Sequence, residues 1–142
     1  MKKLFLLIII FCLFYQIQSF SQSFSAKTDF TTGTRPRSVS IGDLNGDGKP
    51  DLAVLNQSSR SVSVFFNTTT TGSSTPSFSS KVDFTTGGSS ISVSIGDLNG
   101  DGKPDLAVAN QSSFSNSVSV LLNTTPISNH TITSIQLHPV QM

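Results

Sequence analysis

The chain has 142 residues, a length for one domain, with 9 Lys and Arg against 8 acidic side chains. A formal net charge of +1 with no basic cluster gives nucleic acid no footing. The one Cys, Cys12, lies in the leader described next, so the rest of the chain folds without disulfides.

The first residues read as a signal peptide spanning 1–21. Met1-Lys2-Lys3 is a basic start, Leu4 to Tyr15 is an unbroken apolar run, and Ser19 and Ser21 supply the small residues of a cleavage point. The run is too short for a membrane span; an uncleaved N-terminal anchor is the competing reading. Phe11 stands before Cys12, where a lipoprotein signal wants a small residue, so a lipid anchor is not expected. Cleavage after Ser21 leaves seven basic side chains against eight Asp, with no Glu at all. The mature protein is then expected outside the cell or on its surface, with no membrane attachment.

A repeat organises the remainder. Ile41 to Ser59 returns as Ile95 to Ser113, differing only at Leu55 against Ala109, and Lys27-Thr28-Asp29-Phe30-Thr31-Thr32-Gly33 returns as Lys81-Val82-Asp83-Phe84-Thr85-Thr86-Gly87. Ser61-Val62-Ser63-Val64-Phe65-Phe66-Asn67 returns as Ser117-Val118-Ser119-Val120-Leu121-Leu122-Asn123, displaced by two further residues inserted near Phe114 to Asn116. The organisation expected is a first repeat over 22–77, a second over 78–125 and a tail or partial strand over 126–142. Each repeat reads as four short strands. The first lies near Phe24–Phe30 or Phe78–Phe84, and the second covers Ser38–Ile41 or Ser92–Ile95. The third covers Leu52–Asn56 or Leu106–Asn110, and the fourth covers Val62–Asn67 or Val118–Asn123. Val, Ile, Phe and Thr abound, apolar residues alternate with Ser, and no stretch carries a helical stripe. Leu52-Ala53-Val54-Leu55 is apolar on both faces, as an inner strand would be. Gln57 to Arg60 reads as a hairpin turn, and Thr68 to Pro76 as a linker between repeats.

Between the second and third strands lies the most informative stretch. Asp43-Leu44-Asn45-Gly46-Asp47-Gly48-Lys49-Pro50-Asp51 returns unchanged as Asp97-Leu98-Asn99-Gly100-Asp101-Gly102-Lys103-Pro104-Asp105. Six of the eight Asp sit in these two loops. Each copy places side-chain oxygens at alternate positions, glycines between them, and a backbone carbonyl at Lys49 or Lys103. That donor set suits a hard cation: calcium takes about 6–8 oxygens, whereas magnesium demands a stricter octahedron. No Cys or His lies in either loop, which argues against zinc or copper. A metal-free turn is the alternative, because Asp, Asn and Gly are also plain turn formers. An EF-hand is a poor fit: Val54 or Val108 stands where its bidentate Glu belongs, and the flanks read as strands. Dockerin repeats fail on the same helical requirement. His130 and His138 in the tail read as solvated side chains.

This loop, followed by Leu-Ala-Val and repeated in an exported chain, resembles the FG-GAP/VCBS repeats, the blades of β-propellers such as the integrin α head. The resemblance covers about residues 24–125. It implies an all-β fold: two four-stranded antiparallel blade-like repeats of a partial β-propeller, after an N-terminal signal peptide. It also implies two calcium sites. The ligands would be Asp43, Asn45, Asp47, the Lys49 carbonyl and Asp51 in one, and Asp97, Asn99, Asp101, the Lys103 carbonyl and Asp105 in the other. Propellers close with about 4–8 blades, so two repeats cannot complete a ring. A fragment of a longer gene, a ring of several copies and a small open unit are the readings left. Two sheets packed side by side with open edges are favoured, and such edges invite self-association.

The function implied is adhesion or ligand recognition at a cell surface, with a cell-surface protein or glycan as partner and calcium in a structural role. Catalysis is not expected: the carboxylates recur in identical loops, the serines have no His partner within the repeats, and no Gly-x-Ser-x-Gly or phosphate-binding motif appears. A lectin-like module is the alternative, with Phe65, Phe78 or Phe114 stacking on sugar, although these fit core or edge packing better. An accessory part of a larger secreted protein or enzyme is the other. Asn-x-Ser/Thr triplets at Asn56, Asn67, Asn110, Asn123 and Asn129 are expected by chance and in turns.

Overall fold

The computed structural model describes residues 21–111 and 116–125. The expected signal peptide (Ser21 apart), Phe114, Asn129, both histidines and the tail lie outside the described residues, and so does most of the two-residue insertion. Seven strands are present: β1 (Pro36–Gly42), β2 (Asp51–Asn56), β3 (Ser61–Phe65), β4 (Val82–Thr85), β5 (Ser90–Gly96), β6 (Asp105–Gln111) and β7 (Asn116–Leu121). No helix occurs among the described residues. Serine-valine alternation explains β3 and β7: a period of two sends every valine to one face. β2 sits inside its sheet with both neighbours paired and five of its six residues buried, as its unbroken apolar run requires.

The strands form two antiparallel sheets, ordered β1-β2-β3-β4 and β5-β6-β7. In the first, Gly42 faces Asp51 and Ile41 faces Leu52, so the acidic loop is the link between β1 and β2. Leu55 faces Val62 and Ala53 faces Val64 across β2 and β3. The turn between those strands, at 57–60, closes with the Arg60 N–H donating to the Gln57 carbonyl at 3.3 Å, and Arg60 adopts φ 52°. The second sheet repeats this register: Gly96 faces Asp105, Ile95 faces Leu106, and Ala109 faces Val118.

Two expectations about the first strand of each repeat need correction. Val82–Thr85 is a strand, but it belongs to the first sheet: Val62 faces Phe84 and Ser63 faces Asp83. Residues 68–76 are therefore the loop of a hairpin between β3 and β4 and do not link two sheets. The Thr68 N–H donates to the Ser77 carbonyl at 2.9 Å, and Asn67 bridges to Phe78. The sheets are joined at 86–89 instead. In the first repeat the same motif, Phe24–Phe30, is not a strand. A strand forms only where a partner edge satisfies its backbone groups. The partner that β4 uses is the β3 edge of the preceding sheet, and no such edge precedes residue 24 among the described residues. Phe30 still packs, edge-on, against Phe78 at 5.0 Å and Phe65 at 6.5 Å between ring centroids. Among the described residues the second sheet accordingly has three strands where four were expected.

The sheets stack through unlike faces. The first contributes Ala53, Leu55, Val62 and Val64; the second contributes Val93, Leu106 and Val108, with Ile95 half-buried beside them. In the repeat, Val93 and Ile95 correspond to Val39 and Ile41, which lie on the far face of the first sheet. Leu55 and Val62 have no exposed surface, and burying each contributes about 2 kcal/mol. The approach is close at Gly42, where a Cβ would lie 3.0 Å from Ile95 Cγ2.

Candidate metal centre

Each acidic loop spans the gap between two hydrogen-bonded strand ends, so its first and last aspartates are held at a fixed separation. Asp43 follows β1 and Asp51 opens β2. Gly46 and Gly48 adopt φ of 77° and 82°, and Gly100 and Gly102 adopt 77° and 81°. This is the left-handed region that glycine enters without a Cβ penalty. The chain therefore curls back over its own first aspartate. Asp43 Oδ1 accepts from the Gly46 N–H at 2.8 Å and the Asp47 N–H at 3.1 Å, and Asp43 Oδ2 accepts from the Gly48 N–H at 2.8 Å. Asn45 Oδ1 accepts from the Asp47 N–H at 3.0 Å, and Asp47 Oδ1 accepts from the Lys49 N–H at 2.9 Å.

The second loop is built alike. Asp97 accepts from the Gly100 and Gly102 N–H groups at 2.8 and 2.9 Å. Asn99 accepts from the Asp101 N–H at 3.1 Å, and Asp101 accepts from the Lys103 N–H at 2.9 Å. That backbone bond, together with the Asn99 amide and the Lys103 charge, holds the Asp101 carboxyl below the ordinary carboxylate range. Lys103 Nζ lies 3.6 Å from Asp101 Oδ2.

Asp51 and Asp105 stand apart from the other loop carboxylates. Both are fully buried, while Asn45, Asp47, Asn99 and Asp101 are exposed. Asp51 Oδ2 accepts from the Leu44 N–H at 2.8 Å, and Oδ1 accepts from the Asn67 N–H at 2.7 Å. Asp105 does the same with Leu98 at 2.9 Å and Asn123 at 2.7 Å. One carboxylate thus ties the loop to the strand after it and to the far end of the next strand. A carboxylate has about four lone-pair sites, so each oxygen keeps one beyond its N–H.

No three acidic side chains converge among the described residues. The aspartates are spread along each loop, each turned onto backbone N–H groups. The donor set is nonetheless all oxygen, and its carboxylates alternate with glycines that leave the loop free to close; in chemistry it fits a hard divalent cation. Asn45 and Asp47 are exposed and Asp43 is half-buried in the first loop; Asp97, Asn99 and Asp101 are exposed in the second.

A profile of the FG-GAP-like repeat matches residues 12–54 and again residues 43–108. The chain belongs to the FG-GAP-like repeat family. The two matches share the first acidic loop, and the second also contains the other loop, so both loops are part of what defines the repeat here. No curated protein and no solved structure shows significant similarity to the chain.

Several site-forming residues escaped the sequence reading. Asn67 and Asn123 each cross-brace a loop: Asn67 Nδ2 donates to the Pro50 carbonyl at 2.9 Å, and Asn123 Nδ2 donates to Pro104 at 3.1 Å and to Leu44 of the other loop at 2.8 Å. Asn56 and Asn110 are buried and donate to Ser63 and Ser119, both at 2.8 Å. These two lie in β2 and β6, not in turns, so the Asn side chain of each triplet is buried. Their identity in both repeats was the available signal. Of the proposed sugar-stacking rings, Phe65 is buried and Phe78 packs on it and on Phe30.

Proposed function

We propose that this FG-GAP-like repeat chain is an exported calcium-binding module serving adhesion or ligand recognition at a cell surface. The observation that carries the metal is the loop built twice, with the same aspartates capping the same backbone N–H groups. Three carboxylates within nine residues repel one another. A bound calcium ion supplies the positive charge that offsets them. Asp43, Asn45, Asp47 and the Lys49 carbonyl would hold it in the first loop, with Asp51 fastening the loop to the sheet. Asp97, Asn99, Asp101, the Lys103 carbonyl and Asp105 play the same parts in the second. An affinity of about 10⁻⁴–10⁻³ M would suit the calcium-rich exterior. Recognition of a surface protein or glycan follows from the family and the leader, and the ion's role is to stiffen the scaffold.

Thermal unfolding tests this. Calcium at about 100 times its Kd should stabilise by about 2.7 kcal/mol per site, and EDTA should abolish the gain. Asp43→Asn with Asp97→Asn should remove the calcium response while the protein stays folded. A melting temperature indifferent to calcium and EDTA would refute the reading.

A further inference from the structure

The two sheets meet through unlike faces, so each face of that contact has a twin that is uncovered among the described residues. Val93 is 5 % exposed in the contact, and its twin Val39 is 59 % exposed. Ile95 is half-buried there, and its twin Ile41 is 64 % exposed. At the other end, Val62 and Val64 are 0 % and 3 % exposed, but their twins Val118 and Val120 are 65 % and 54 % exposed. Leu44 is buried and Leu98 is not. A Cβ on Gly42 would press on Ile95, while one on Gly96 would meet nothing within 4 Å. The edges follow the same rule. Among the described residues β3 is covered by β4, whereas its twin β7 is an edge strand, and the twin of β4 in the first repeat is unpaired.

We infer that a second copy of this chain docks head-to-tail, repeating between molecules the contact that the two sheets make within one. The Val39–Ile41 face of the incoming copy covers Val118 and Val120, and its residues 28–31 add a fourth strand to β7. The observed β3–β4 register fixes the pairing: Thr28 opposite Val120, Asp29 opposite Ser119, Phe30 opposite Val118 and Thr31 opposite Ser117. The polar partners match as well. Ser63 Oγ accepts from Asn56 and donates to Asp83 at 2.5 Å; Ser119 Oγ already accepts from Asn110 in the same way, and Asp29 is the twin of Asp83. Ile41 of the incoming copy fills the space over Gly96. Such a contact joins different surfaces, so it propagates until a ring closes or a filament grows. It does not depend on the calcium reading.

Disulfide trapping in the full-length chain, with Cys12→Ser as background, tests the register. Thr28→Cys with Val120→Cys should give a ladder of covalent dimers and larger species under oxidation. Thr28→Cys with Ser119→Cys should give at least about ten-fold less, because one residue along a strand points to the opposite face. In sedimentation, Thr28→Pro with Asp29→Pro should abolish the multimer, since one proline or the other removes a ladder N–H. A monomer at every concentration, a cross-link confined to single copies, equal trapping at both positions, or a multimer indifferent to the prolines would each overturn the inference.

Discussion

Asp51 is a charge with no exposed surface, and what stabilises it is a pair of backbone N–H groups from two different segments. Asp51→Ala would strand both donors and is expected to cost about 2–4 kcal/mol, read as a lower urea midpoint, with Asp105→Ala behaving alike. Gly87 lies against Asn110: a Cβ there would sit 2.7 Å from Asn110 Cγ. Gly87→Ala should therefore displace the Asn110 amide from Ser90 and Ser119 and cost about 1–3 kcal/mol, measured the same way. Asp83 contributes to the pH dependence. Its pairing with the Lys81 ammonium, seconded by the Ser63 hydroxyl, holds its carboxyl below the ordinary range. A lowered folded value stabilises fully above the unfolded value, near pH 4, and that contribution disappears as pH falls through the folded value. Asp83→Asn should lessen the loss of stability that sets in as pH falls below about 4, and an unchanged acid profile would contradict the pairing.

At the scale of elements, β2, β3, β6 and β7 were legible because burial on two faces or alternation with serine leaves a mark in the local sequence. The acidic loops were legible because their residue types are set by chemistry. Residues 24–30 were not. They have the composition of β4, but a strand is a property of a pair, and among the described residues the partner edge is supplied to the second copy alone. The roles of Asn67 and Asn56 were hidden for another reason. Their partners lie at the far end of a neighbouring strand, which register reveals and residue type does not. The glycines at 46 and 48 are an element-level device: Gly48→Ala would force a Cβ into φ 82° and should cost about 1–2 kcal/mol while leaving both sheets intact by circular dichroism.

For the whole molecule, twin positions carry unequal weight. Val62 lies in the contact between the sheets, and Val118 is its solvent-facing equivalent. Val62→Asp should unfold the chain or lower its stability by about 3–5 kcal/mol, because it buries an unpaired charge. Val118→Asp should leave urea unfolding within about 0.5 kcal/mol of the parent when measured at dilution, while blocking any association between copies. Equal costs at the two positions would mean that the second sheet is covered by something within the same chain.

The strand encoded at the head of the second repeat fastens the sheet of the first, so the unit written in the gene is out of step with the unit seen in space. A gene that lengthens by tandem copying thereby delivers, with each new segment, the clasp for the sheet already made. Insertion or loss of whole segments alters the height of the stack and never leaves a gap in its middle.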